Sequence, residues 1–399
     1  MDGGGRGDLT LRLGEPGFFL RPDYHDVLQQ LRRQSPVHPT ADGMVALSRY
    51  EDVREVSRDP ARFVSGRGVL VNDPLRDPEG TGQQAFSILH LDPPMHAAYR
   101  SVVNREFTPR AVARLEGRIR TVVRRAIDDV PADEPVDLVG ALAAPIPIAV
   151  ISEILGVTGP DRGQVRHWSD AVIESTDRTS GEQAEQLGQL VRFLLGHVES
   201  PAAGRVDLLG LLKTTPVGDR LLDQSEIMGF CLTLLVAGNE TTRTLISGGA
   251  EALARHPEQR STLVGTPSLM AGAVEEMLRW VTPIQAFGRT AVADTHIAGC
   301  PVPAGAFVVM LYASANRDES VFGPTADRFD VRRPSSPVHL AFGFGEHSCL
   351  GASLARLEAR IFFEELLASY PSYRLLGEPT YTRSTLVNGA RTMPVVLEP

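Results

Sequence analysis

Apolar residues recur along most of the chain at three- and four-residue steps, the spacing of one helical face. Asp23 to Arg33 carries Val27, Leu28 and Leu31 on one side, and residues 137–156, 186–198 and 350–361 repeat the pattern. Residues 223–255 differ: Ile227 to Ala237 is apolar almost all round, which predicts a helix running through the core. Asp223 and Glu226 form an Asp version of a capping box at its start, and Pro257 closes its end, giving a length of about 45 Å. Alternating patterns are short. Residues 35–49 read as a hairpin turning at Asp42-Gly43, residues 284–312 as short strands, and residues 386–397 as a hairpin turning at Asn388-Gly389. Residues 64–84 lack a period and read as a disordered segment or a functional lid loop. The more polar stretch from Trp168 to Glu185 reads as mobile. The predicted class is mainly α with small β-sheets.

Composition narrows the function classes. The chain has 399 residues, 42% of them hydrophobic and 22% charged, the balance of an ordinary soluble protein. A net charge of -9 argues against general nucleic-acid binding. Lys213 is the only lysine, so almost all positive charge is arginine, suited to forked contacts with carboxylates. Cys231, Cys300 and Cys349 are too few and too scattered for a disulfide framework, which points to a reducing cytoplasm. Residues 1–8 lack an apolar segment, and no run of roughly eighteen apolar residues follows. A soluble cytoplasmic protein without signal peptide or membrane anchor is expected.

Four places carry chemistry. Phe342-Gly343-Phe344-Gly345-Glu346-His347-Ser348-Cys349-Leu350-Gly351 sets one cysteine among glycines, immediately before an amphipathic helix. The helix start should lower the thiol pKa. Such a cysteine is a buried apolar residue, a nucleophile or an axial metal ligand. CxxCH, HExxH and GxSxG are all absent, which removes covalent c-type haem and the common zinc and serine-hydrolase frameworks. The second place is Gly238-Asn239-Glu240-Thr241-Thr242, in the middle of the buried helix. A carboxylate there needs a partner or a shifted pKa, so this point either accommodates a ligand, a water file or a proton relay, or faces a solvent channel by chance. Third, His96 and Arg100 share a helix face, as a solvated pair or with an anion between them, and Arg289 lies among apolar residues, where a charge needs an anionic partner. Fourth, Glu276 and Arg279 stand three apart on a helix that Pro283 stops.

Together these motifs resemble the cytochrome P450 family, the thiolate-haem monooxygenases. Phe342 to Gly351 fits the haem-loop pattern FxxGx(H/R)xCxG, Ala237 to Thr242 fits (A/G)Gx(D/E)T(T/S), and Glu276 to Arg279 fits ExxR. The motifs stand in the family's order and span essentially the whole chain. The resemblance implies a single domain over residues 1–399. Its β-rich part comprises about 35–60, 284–312 and 380–398, its helical part about 90–280 and 340–370. Haem b would lie between the long central helix and the helix after the cysteine loop.

The resemblance also assigns roles. Cys349 would ligate the iron. His96, Arg100, Arg289 and His347 would bind the propionates, and Phe342, Gly343, Gly351, Ala237 and Gly238 would contact the porphyrin. Glu240 and Thr241 would deliver protons, with Gly238 opening the helix for oxygen and substrate. Glu276, Arg279 and Arg328 would form a structural network beneath the haem. Leu234, Ala237, Ile284, Ala286, Phe287 and Val387, with lid regions 64–88 and 165–185, would line an apolar pocket. The implied reaction is hydroxylation of a hydrophobic small molecule (a steroid, terpenoid or lipid) with O2. Electrons are expected from a separate ferredoxin and its reductase, docking on arginines such as Arg105, Arg110, Arg356 and Arg360, and the enzyme is expected to be a monomer. The alternatives are a peroxide-dependent peroxygenase, a natural-product biosynthetic member of the family, and a haem-binding protein without turnover.

Overall fold

The structure is a computed structural model that describes residues 10–76, 86–157, 162–177 and 180–399. Residues 77–85 of the first predicted lid region and 178–179 of the second lie outside the described residues. The predicted core helix is one unbroken helix, Gln224–Arg255, and Asp223 and Glu226 cap it reciprocally. Helices Pro145–Leu155, Arg162–Ser175, Gly181–Glu199, Met270–Val281 and Ala352–Ser369 pack around it. The largest apolar cluster draws residues from Tyr99 through to Leu397 and surrounds this central helix.

The sheets are small and lie to one side. The largest has five strands in the order Val37–Pro39, Val45–Leu47, Phe307–Leu311, Ala286–Ala291, Phe63–Val64. Val45–Leu47 runs parallel to Phe307–Leu311, and the other neighbours are antiparallel. Alternation along Ala286–Ala291 sends successive side chains to opposite faces. Ala286 therefore joins Leu11, Phe18, Leu28 and Val309 on one face, while Phe287 packs on the other with Tyr50, Met310 and Tyr312.

Three expectations change. The stretch Trp168 to Glu185 is largely helical, in Arg162–Ser175 and Gly181–Glu199, the second entered through a Ser180–Gln183 capping box. Asn388-Gly389 does not turn a hairpin of residues 386–397. Instead Val387 bridges to Ile284, strand Ala390–Thr392 pairs with Thr380–Tyr381, and Pro394–Glu398 pairs with Ser372–Leu375 and Pro135–Asp137. The loop is held by Gln285, whose Nε2 donates to the carbonyls of Ser384 and Val387, so it follows the Ile284 backbone rather than its own continuation. Finally, Gly238 does not open the central helix. A side chain there would come within 2.9 Å of Ile151, so the glycine lets helix Pro145–Leu155 approach closely.

Candidate functional site

The cysteine loop is folded by its own backbone. Gly343 N–H donates to Leu340 O, Ser348 N–H to Gly345 O, and Cys349 N–H to Phe342 O at 2.8 Å. Gly343 and Gly345 both have positive φ, a conformation that costs side-chain-bearing residues about 1–2 kcal/mol. Any side chain on Gly345 would also overlap the Ser57 carbonyl of helix Tyr50–Arg58. Beside it the Phe344 ring sits between the guanidinium groups of Arg54 and Arg58, at 4.8 and 4.6 Å.

Cys349 is exposed although it lies among protein atoms. Burial pushes its thiol pKa up, against the backbone N–H of Gly351 and the charges of Arg100 and Arg356. This reverses the direction expected from the helix start: desolvation outweighs the helix end. Arg356 lies over the Phe342 ring at 4.5 Å and holds Glu275 through both ends of its fork.

The predicted cations do come together. The rings of His96 and His347 lie against each other with centroids 3.9 Å apart, tilted by 33°, and His347 Nε2 is 3.2 Å from Ser65 Oγ. Arg289 Nη1 donates to the Gly288 carbonyl. Burial, then Arg100 and Arg289, push His96 down to about 4. Burial, then Arg289, His96 and Arg100, push His347 down to about 3. Asp92 is the one carboxylate acting on the cluster among the described residues, and its two oxygens already accept from Ser65 and Gly66 N–H. Two arginines lowered by burial and two histidines lowered by burial and by those arginines, close to Cys349, are a donor set for a dianionic group that also carries a thiophilic metal. Haem, with two propionates and an iron, fits that set.

The second motif lies on the central helix. Ala237 is exposed in the middle of this otherwise buried helix, and Thr241 follows one turn later, half-buried. Thr241 Oγ1 donates to Ala237 O at 2.7 Å. Glu240 and Arg243 are buried, at 1% and 3% exposure, and Arg243 Nη2 donates to Glu240 Oε1 at 2.6 Å. Sequence reasoning named Glu240 and missed Arg243, although their separation of three on one helix was a signal.

Of the predicted apolar lining, Leu234 is partly buried beside Ala237, and Ile284 is bridged to Val387. Phe287 shares a face of its strand with Arg289. Ala286 points to the other face, into the Leu11–Phe18 cluster, and is not brought together with Phe287 and Arg289.

The predicted structural network forms with one substitution of partner. Arg279 grips both oxygens of Glu276 at 2.7 Å and donates to the carbonyls of Asn316, Ala326 and Arg328. Arg328 contributes only that carbonyl, and its side chain is exposed. The third side chain is Arg333, whose Nε reaches Glu276 Oε2 at 3.0 Å.

Comparison with known proteins agrees with this geometry. A family model described as cytochrome P450 matches residues 268–372. The chain is 34% identical to linalool 8-monooxygenase of Pseudomonas putida, over 97% of this chain and 98% of the relative. It is 38% identical to vitamin D(3) 25-hydroxylase of Pseudonocardia autotrophica, over 96% and 95% of the two chains. The fold matches Mycobacterium marinum cytochrome P450 CYP268A2 in complex with pseudoionone with a TM-score of 0.86 and 32% identity, covering 98% of each chain. A helical body with small side sheets, a buried central helix and a cysteine loop therefore has a known class, the haem-dependent monooxygenases. The chain belongs to the cytochrome P450 family, with haem b as its cofactor.

Proposed function

We propose that this enzyme hydroxylates a hydrophobic terpenoid, steroid or lipid-like molecule, using O2 and two electrons from a ferredoxin. The observation that supports the reading best is the cationic cluster of His96, Arg100, Arg289 and His347 gathered near the exposed Cys349, with Arg100 acting on its sulfur. Cys349 would hold the iron as a thiolate, and the four cations would hold the propionates. Phe342 and Gly351 lie next to the sulfur along the loop. When bound, haem activates O2 so that one oxygen atom enters a C–H bond and the other leaves as water, consuming two electrons and two protons.

The chain's own residues position and move protons. Thr241 Oγ1, anchored on Ala237 O, would present a hydroxyl to the haem. Glu240, one residue earlier in the helix and paired with Arg243, is the reservoir from which that hydroxyl is resupplied. A pocket that Ala237, Leu234, Phe287, Ile284 and Val387 would border would favour an apolar substrate. The names of the relatives, which act on linalool and vitamin D(3), support the same class. Peroxide-driven turnover would have no use for a buried acid beside a hydroxyl, and neither would a haem protein without turnover.

The whole chain would act as one domain, since its main core joins residues from Tyr99 to Leu397. Three unpaired cysteines favour the reducing cytoplasm. We read the protein as a monomer there.

Among the arginines first considered for ferredoxin docking, Arg356 is committed to Glu275, and Arg360 to Glu116 and Glu364. Arg105 leans on Glu106. Exposed Arg110 and Arg114 pair with no described carboxylate and form the centre of the docking patch. Two measurements test the assignment. The reduced CO complex should show the red-shifted Soret band of a thiolate ligand; an unshifted band rules out Cys349 as a thiolate donor to the iron. A screen of terpenoids, steroids and fatty acids by the low-to-high-spin shift should then give tight binders among them; binding confined to polar compounds overturns the substrate class.

A further inference from the structure

The two buried charges of the central helix are not a closed pair. Arg243 Nη2 donates to Glu240 Oε1 at 2.6 Å, and Arg243 Nη1 donates to Asp170 Oδ1 at 2.5 Å. One planar guanidinium thus joins two carboxylates that belong to two different helices. Asp170 lies on helix Arg162–Ser175, Glu174 follows it one turn later on the same side, and Asp177 lies in the turn just past the helix end.

Each of these acids is held by a different element. Glu174 is 3.6 Å from Arg391 Nη1. Asp177 accepts from Thr385 N–H at 2.8 Å, from Thr385 Oγ1 at 2.5 Å and from Asn72 Nδ2 at 2.9 Å. Trp168, Ala171 and Ile173 of the same helix are buried. The helix is therefore fastened to the central helix and to the 384–391 segment by polar clasps, and one of those clasps is the arginine that holds Glu240.

We propose that Arg243 is a positioning residue that couples the Glu240 carboxylate to helix Arg162–Ser175, so that release of that helix changes the proton affinity of Glu240. While Asp170 shares the guanidinium, Glu240 feels only part of its charge. When Asp170 withdraws, the whole charge falls on Glu240 and holds it more firmly as an anion, a poorer proton source. The inference rests on the reading of Glu240 as the proton reservoir.

The test uses the haem-loaded enzyme and two readouts. The first is the carboxylate stretch of Glu240, isolated by infrared difference against Glu240→Gln. The second is the release rate of clotrimazole, an azole probe, followed by its spectral shift in stopped flow. Asp170→Asn, an isosteric change at a half-buried position, should shift the Glu240 band and speed clotrimazole release by about tenfold. Arg243→Gln should replace the carboxylate band with that of a protonated acid. Asp177→Asn should speed release while leaving the Glu240 band in place.

Faster release in Asp170→Asn with an unmoved Glu240 band would make Arg243 a structural tie and overturn the coupling. Unchanged release together with an unmoved band overturns it equally, whether or not Arg243→Gln folds. Normal product yield per electron in Glu240→Gln would instead defeat the proton-reservoir reading alone, because the band reports the coupling whatever the proton is used for.

Discussion

Arg279 meets Glu276 fork to fork, with Nε and Nη2 each 2.7 Å from a carboxylate oxygen and both side chains almost fully buried. Its remaining donors close on three carbonyls of the chain leading to the cysteine loop. Such a pair is weak evidence for stability while intact, but breaking it leaves a buried charge alone, at a cost of about 3–5 kcal/mol. Arg279→Ala should lose that much in urea unfolding followed by the haem Soret band. Arg333→Ala, which removes a second donor from Glu276, should cost about 2 kcal/mol. Arg328→Ala should stay within about 0.5 kcal/mol, because its exposed side chain is not part of the network. A larger loss at Arg328 than at Arg333 would show that the network is wired otherwise.

The two glycines of the cysteine loop should respond differently to alanine. Both have positive φ, so each substitution costs about 1–2 kcal/mol in backbone strain. At Gly343 an added methyl would have room, its nearest neighbour being 3.9 Å away. At Gly345 it would overlap the Ser57 carbonyl and force the loop from helix Tyr50–Arg58. Gly345→Ala should therefore purify with little haem, read from the ratio of Soret to protein absorbance, whereas Gly343→Ala should retain most of it. Equal haem content would mean that the contact with Ser57 is not needed to hold the loop.

The loop and the central helix with its caps were legible because each is local. Glycine content, capping residues and apolar period lie within a few positions of one another. Arg333 was not legible, because its role depends on how the chain folds back after Asp330, and Arg328 stood nearer the expected position. Ala286 was misread for a related reason: one residue along a strand reverses the face, and only pairing with Phe307–Leu311 fixes which face is which. The partner of Glu240 was half legible. Arg243 stood in the sequence at helical spacing, but Asp170 comes from a helix that its own polar pattern disguised.

His96 makes the propionate reading testable through pH. Its unfolded pKa is near 6.5 and burial beside Arg100 and Arg289 lowers the folded value to about 4. Between those values the unfolded chain binds the proton and the folded chain does not, so stability falls as pH drops through that window. The haem-free protein should lose up to about 1.4 kcal/mol per pH unit from this group, and His96→Gln should lessen the slope by as much as one proton. With haem bound, two propionates would raise the His96 pKa and flatten the slope of the wild type. An equal slope with and without haem would place the propionates elsewhere.

Charge reversal separates docking from folding on the side of the cysteine loop. Arg110→Glu and Arg114→Glu remove exposed charges that pair with no described carboxylate. Each should raise the apparent KM for ferredoxin by about threefold to tenfold, more at low salt, and leave the substrate spin shift unchanged. Arg356→Glu should lower the unfolding midpoint, because it sets a carboxylate against Glu275. Unaltered ferredoxin kinetics in the Arg110/Arg114 double variant would move the docking surface off this face.

Thr241 tests the proton path itself. Its hydroxyl donates to Ala237 O, a carbonyl within the helix, so removing it takes away one local bond and leaves the helix backbone intact. Thr241→Ala should therefore keep its haem and its unfolding midpoint within about 0.5 kcal/mol. Electrons should still be consumed, but product per electron should fall by about tenfold or more as hydrogen peroxide is released instead. Thr241→Ser, which restores a hydroxyl at the same atom, should recover most of the yield. The contrast between alanine and serine matters most, because a void above the haem would affect both while a missing proton carrier affects only one. Full product yield in Thr241→Ala would exclude Oγ1 from proton delivery and shift the role to a route that does without it.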